Sequence, residues 1–231
     1  MKKTLLMCAF VIAFANLAHS QDVVKSRYGW GFVGGLNMFG TYKLGVPQKK
    51  IQGGLLGFDF YYKVLKNSDV LNLHFQPNWT IFNYDNGKGR QNDKEHIQRT
   101  SETLVLPFLL RFSPLAKKKI GIFIEGGVGL QHRFKDTSLM DLEVNCIAAP
   151  CDFNWKNTES LLGKTTSERI VILASVGTEL NLGGVQIPIS LRINEGIGTY
   201  KLNDQNYSRR TRDNIGDYKT RTIQIVTGVT F

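Results

Sequence analysis

An eight-stranded antiparallel, up-and-down transmembrane β-barrel is the all-β fold that this 231-residue sequence predicts. Three observations point to it. Apolar and polar residues alternate at period two in eight separate segments, the signature of strands with two unlike faces. The connections between the segments alternate between long and short. The faces opposite the apolar ones carry glycines and charges of both signs.

Composition narrows the field first. Hydrophobic residues make up 42% and charged residues 21%, which is enough apolar side chain to exclude a disordered chain. Beyond the N-terminus no apolar run approaches the ~18 residues that a spanning helix needs. The longest, 104–110 and 170–176, are strand-sized. Three cysteines do not make a disulfide scaffold.

Residues 1–20 read as a secretory signal peptide. Lys2 and Lys3 precede an apolar stretch over 4–18, and Ala18-His19-Ser20 puts small residues at the −3 and −1 positions of a cleavage site after Ser20. Cys8 lies inside the apolar stretch, so a lipidated cysteine there would lack its h-region. Residues 21–231 then form one barrel domain of 211 residues, whose charge drops from +10 to +8 with the loss of Lys2 and Lys3.

The segments follow in order. Over 30–39, Trp30, Phe32, Leu36 and Met38 share a face. Over 55–64, Leu56, Phe58, Phe60, Tyr62 and Val64 oppose Gly57, Asp59, Tyr61 and Lys63. Over 71–81, Leu71, Leu73, Phe75, Pro77, Trp79 and Ile81 oppose Asn72, His74, Gln76, Asn78 and Thr80. Over 103–112, Leu104, Leu106, Phe108, Leu110 and Phe112 oppose Arg111 and the less polar Val105, Pro107 and Leu109. Over 120–132, an Ile/Val/Leu face opposes Gly121, Phe123, Glu125, Gly127, Gly129 and Gln131. The segment 170–182 begins apolar on both faces, then sets Val176, Leu180 and Leu182 against Ser175, Gly177, Glu179 and Asn181. In 185–194 the alternation is complete: Val185, Ile187, Ile189, Leu191 and Ile193 against Gln186, Pro188, Ser190, Arg192 and Asn194. In 222–231, Ile223, Ile225, Thr227, Val229 and Phe231 oppose Thr222, Gln224, Val226, Gly228 and Thr230.

The connections, 40–50, 65–69, 85–101, 113–119, 134–167, 183–184 and 198–219, hold 11, 5, 17, 7, 34, 2 and 22 residues. In an up-and-down array every second connection lies at the same end. One end therefore carries tight turns and both termini, and the other carries long polar loops, the layout of an outer-membrane barrel with periplasmic turns. A lipid-embedded sheet must close so that no backbone group is left unpaired. Eight strands leave an interior only wide enough for side chains. The inner faces supply Gly31, Gly35, Gly57, Gly121, Gly127, Gly129, Gly177 and Gly228 as small residues. They also supply Asp59, Lys63, Arg111, Glu125, Glu179 and Arg192, which predicts a plug of ion pairs in place of a channel. Trp30, Tyr62 and Trp79 suit the membrane interfaces.

The run Glu102-Thr-Leu-Val-Leu-Pro-Phe-Leu-Leu-Arg-Phe112, a short turn, then Ile122-Phe-Ile-Glu-Gly-Gly-Val-Gly-Leu130, resembles the central signature of the PorT-like outer-membrane β-barrel family of Bacteroidota. Leu71-Asn-Leu-His-Phe-Gln-Pro77 and the closing Thr227-Gly-Val-Thr-Phe231 fit the same pattern; the 34-residue loop departs from it. The resemblance implies an integral barrel in the bacterial outer membrane with both termini periplasmic. Its motifs are structural. One family member is implicated in protein secretion, so the resemblance also implies an accessory role in a secretion system as an alternative. The terminal Phe231 resembles the signal read by outer-membrane insertion machinery.

Other features have plainer readings. Gly29-Trp-Gly31-Phe-Val-Gly34 matches a dinucleotide fingerprint but opens a strand with no helix after it. Cys146 and Cys151, in the longest loop, suit a local disulfide in an oxidising compartment; free thiols are the alternative. His74, His96 and His132 are scattered, and no metal set is evident. Glu125 with Glu179, or His132 with Asp136, are the nearest approaches to a catalytic pair, and neither has the further groups a reaction needs. No enzyme activity and no cofactor are expected. Arg209, Arg210 and Arg212 in the last long loop suit lipopolysaccharide phosphates; no nucleic-acid module is present. The expected role is structural or interaction-based, through loops 85–101, 134–167 and 198–219, in a monomer. A soluble periplasmic ligand carrier is the alternative in which the apolar faces would point inward.

Overall fold

The computed structural model describes residues 27–42, 51–65, 68–89, 93–116, 118–144, 153–160, 167–198 and 219–231. The signal-peptide segment, Cys146 with Cys151, and Arg209, Arg210 and Arg212 all lie outside them. Ten strands form among the described residues: β1 (Tyr28–Tyr42), β2 (Ile51–Lys63), β3 (Leu71–Phe75), β4 (Asn78–Gly89), β5 (Asp93–Phe112), β6 (Ile120–Val144), β7 (Phe153–Ser160), β8 (Glu168–Asn181), β9 (Gln186–Gly196) and β10 (Lys219–Thr230). Every pairing is antiparallel, and β1 pairs with both β2 and β10, which closes the sheet.

Ten strands fill eight barrel positions. β3 and β4 lie end to end between β2 and β5. The break falls at Gln76 and Pro77, because Pro77 has no N–H to give the ladder. The carbonyl of Pro77 still accepts from the Phe58 N–H at 3.0 Å, and Gln76 N–H donates to Pro107 O at 3.1 Å. β7 and β8 likewise share the far side of β6, where they pair with 137–144 and 120–132.

Two of the segments read as long loops are largely strand. β4 runs to Gly89 and β5 starts at Asp93, so most of 85–101 is a hairpin. β6 runs to Val144 and β7 returns along it, which orders part of 134–167. These four strands continue past the neighbouring wall as a projecting sheet. In sequence β4 and β5 are mostly polar there and give little period-two signal, whereas the paired ends of β6 and β7 carry Met140, Leu142, Val144, Phe153 and Trp155.

The barrel is packed inside out. Among the described residues nine hydrophobic and twenty-three polar or charged side chains are buried, whereas the large apolar residues Ile122, Ile124, Val128, Leu130, Ile172, Ile189, Leu191 and Ile225 are exposed. This is the reverse of a soluble ligand carrier, whose apolar faces would point inward. The lumen is filled in rows set by register. Leu55, Gly35 and Val226 lie side by side on β2, β1 and β10; Leu109, Gly127 and Leu173 do so on β5, β6 and β8. In each row a glycine sits between two large residues, which lets a narrow cylinder hold both. The buried apolar side chains form two separate clusters, Val33, Leu55 and Val226, and Val105, Leu109, Val171 and Leu173.

Candidate functional site

One inward step from the Leu109 row toward the tight-turn end, register assembles an ionic row. Arg111 of β5 pairs with Glu125 of β6, Glu125 with Ser175 of β8, and Ser175 with Arg192 of β9. Each residue has inward parity, so one row of backbone pairs delivers four polar side chains to the axis. Glu125 Oε2 accepts from Arg111 Nε at 3.0 Å and Nη2 at 2.9 Å. Its Oε1 accepts from Arg192 Nη2 and from Ser175 Oγ, both at 2.7 Å. Arg111 also lies over the Phe123 ring, 4.2 Å from its centroid.

Arg192 makes a further contact that spans the lumen. The same Nη2 donates to Gln76 Oε1 at 2.7 Å, and Gln76 belongs to the opposite wall. Beside this bridge is a cavity of about 10 Å³ lined in part by Asp59, Gln76, Arg111 and Arg192, room for about one water molecule. His74 Nδ1 donates to Asp59, with its oxygens at 2.8 and 3.1 Å. Both side chains are buried.

Of the six charges expected in the lumen, Arg111, Glu125 and Arg192 form one network and Asp59 a second pair with His74. Lys63 goes elsewhere: at the end of β2 it reaches Asp69 in the adjoining turn at 2.8 Å. Glu179 is buried beside Gly121 and joins no ion pair among the described residues. Sequence reasoning missed His74, Gln76 and Ser175 as partners. Their inward parity was readable, but the cross-lumen distances were not.

His132 and Asp136 do not meet. Phe134 is an extra residue on β6, where the register shifts between Glu102 and Thr103, and such a bulge advances the side-chain phase by one. His132 stays outside, 3.6 Å from Glu168. Asp136 turns inward and pairs with buried Arg133 at 2.8 Å. A spacing of three would normally place those two on opposite faces.

The two rims differ. At the long-loop rim, outward cross-strand ion pairs follow the last apolar residues: Lys135 with Glu102 at 2.7 Å, His132 with Glu168, and Arg221 with Glu195. At the tight-turn rim the chain ends are clamped. Phe231 N–H donates to Trp30 O at 2.9 Å and Tyr61 Oη donates to Phe231 O at 3.3 Å. The rings of Trp30 and Phe231 lie 5.3 Å apart, as do those of Tyr28 and Tyr62. From there an outward aromatic ribbon crosses the wall through Phe32, Phe58, Phe60, Phe75 and Phe108, with ring centroids 4.6 to 6.5 Å apart.

No protein-family model matches this chain, and no curated protein matches it in sequence. Among solved structures it is similar to a major outer membrane protein from Thermus thermophilus, at 10% identity and a TM-score of 0.47, over 89% of this chain and 99% of that one. It is also similar to OprG from Pseudomonas aeruginosa, at 12% identity and 0.42, over 88% and 92%. Ail of Yersinia pestis, solved with the heparin analogue sucrose octasulfate, gives 8% identity and 0.41, over 89% and 100%.

Proposed function

We propose that this chain is an integral outer-membrane protein whose barrel is a sealed anchor and whose work is done by contact at the long-loop end. The observation that carries the reading is the inverted packing. A belt of large apolar side chains encircles the cylinder between two polar rims, while Arg111, Glu125 and Arg192 cross its axis. Such a continuous apolar surface is far larger than water tolerates on a monomer. It suits acyl chains, and closure satisfies the backbone that water would otherwise serve. A lumen spanned by the Arg192–Gln76 bridge passes no solute, which leaves the projecting sheet of β4 to β7 and its loops as the working surface. Tight turns and both termini at one end support a periplasmic placement of that end.

Fractionation tests the reading. The protein should sediment with membranes, need detergent for release, and run faster on an unheated gel than on a heated one. Spin labels at Ile189 and Ile225 should be quenched by a lipophilic reagent, and labels at Ser190 and Gln224 should not. Release without detergent, or the opposite quenching pattern, would reject it. The resemblance of 102–130 to PorT-like barrels favours a second reading, an accessory role in protein secretion. Deletion of the gene should then deplete secreted proteins from the medium, and an unchanged profile would remove that role.

A further inference from the structure

The contrast between the rims has a chemical consequence. At the long-loop rim Lys135, Arg221 and His132 each sit against a carboxylate. At the tight-turn rim Lys118 and Lys119 are exposed, and neither takes part in an ion pair among the described residues. Of the acids described at that end, Asp69 is already held by Lys63 and Glu179 is buried beside Gly121.

These two lysines stand on a built turn. Asn181 Nδ2 donates to Ala116 O at 3.1 Å and to Lys118 O at 2.7 Å, and Asn181 N–H donates to Lys119 O at 2.8 Å. Lys118 N–H donates to Leu115 O at 3.0 Å, and Ser113 N–H to Val70 O at 2.8 Å. Ser113 and Ala116 are buried, so the turn is tucked under the lumen mouth. The ammonium groups therefore project from a fixed base. Directly beside them the apolar belt begins, with Ile120 64% and Leu182 51% exposed.

We propose that this turn binds the phosphate of an anionic phospholipid in the leaflet on the tight-turn side. Two exposed lysines that form no ion pair among the described residues supply the charge at the edge of the apolar wall. Ile120 and Leu182 supply the surface for the lipid's acyl chain. A free phosphate would use only the first feature and an acidic peptide would leave the second uncovered; a phospholipid uses both. The proposal rests on the membrane reading above.

The test uses the full chain folded in a nonionic detergent. It is titrated with phosphatidylglycerol or phosphatidylcholine, and bound lipid is counted by native mass spectrometry. The expected result is preferential retention of phosphatidylglycerol, reduced on the order of tenfold in Lys118→Gln/Lys119→Gln, as expected for losing two interfacial lysines. The preference should reverse in Lys118→Glu/Lys119→Glu. Lys135→Gln, at the other rim, should leave it unchanged. An unchanged preference in the Gln variant, no preference in the native protein, or displacement of the lipid by an equal concentration of inorganic phosphate would each overturn the proposal. Heat-modifiable migration of the same samples separates the two failures. A folded, detergent-requiring barrel without lipid preference sinks this proposal alone.

Discussion

The lumen holds two adjacent layers built by the same device and held by different physics. In the apolar layer Leu109, Gly127 and Leu173 share one backbone row; in the ionic layer Arg111, Glu125, Ser175 and Arg192 share another. Both rows follow from strand register and inward parity. The apolar layer is satisfied by volume, since dispersion and burial care little which methyl fills a gap. The ionic layer is satisfied only by specific partners. A charge taken out of water is tolerable when its neighbours replace the solvent, and strongly unfavourable once one of them is removed. The two layers should therefore fail in different ways.

The largest effect should come from Arg192→Ala. It removes the donor to both Glu125 and Gln76 and leaves a buried carboxylate with one cationic partner. Breaking a buried pair in this way costs about 3–5 kcal/mol, to be read as a lower urea midpoint of the detergent-folded barrel on an unheated gel. The distinguishing measurement is the same substitution in a Glu125→Gln background. With the carboxylate gone, Arg192→Ala should cost less than it does alone. Strictly additive losses would show that Arg192 acts by filling space, and the contrast between the layers would collapse.

Leu109→Ala comes next. Leu109 is 0% exposed, and truncating a fully buried leucine costs roughly 2–5 kcal/mol. Leu109→Met keeps the volume and should cost under about 1.5 kcal/mol. In the ionic layer Arg192→Lys also keeps the charge, yet its ammonium ends short of the Nη2 position from which Arg192 reaches both Glu125 and Gln76. A lysine there that restored full stability would blur the distinction.

Both layers were legible from the sequence as faces, and neither as a network. Period-two alternation assigned Arg111, Glu125 and Arg192 inward and Ile189 and Leu191 outward, because one unlike pair of environments flanks the sheet along the whole apolar belt. Above the belt 85–101 is mostly polar and carries little contrast, and it read as loop together with much of 134–167 although strands form there. The extra residue Phe134 shifts the phase of β6, which parity counting cannot see, so Arg133 with Asp136 was hidden behind the His132 and Asp136 spacing. Lys63 had the right parity but sits where the strand ends, within reach of Asp69. Gln76 and Arg192 are 116 positions apart, and only closure of the cylinder sets them face to face.

The smallest effect isolates the row geometry itself, through two neighbouring glycines. Gly127 faces inward between Leu109 and Leu173; a Cβ there would overlap the Phe108 carbonyl and lie 2.9 Å from Leu109 Cα. Gly126 faces outward, where a Cβ would meet only Leu173 O at 3.7 Å. Gly127→Ala should therefore cost about 1–3 kcal/mol, as overpacking does, and Gly126→Ala should stay within about 0.5 kcal/mol. The obstacle at Gly127 is backbone, so trimming the flanking side chains should not help. Gly127→Ala combined with Leu173→Ala should be less stable than either alone in the same urea titration. Recovery in that double variant would mean that the glycine only makes room for leucine side chains, and that the close approach of β5 to β6 is incidental to how the barrel fills.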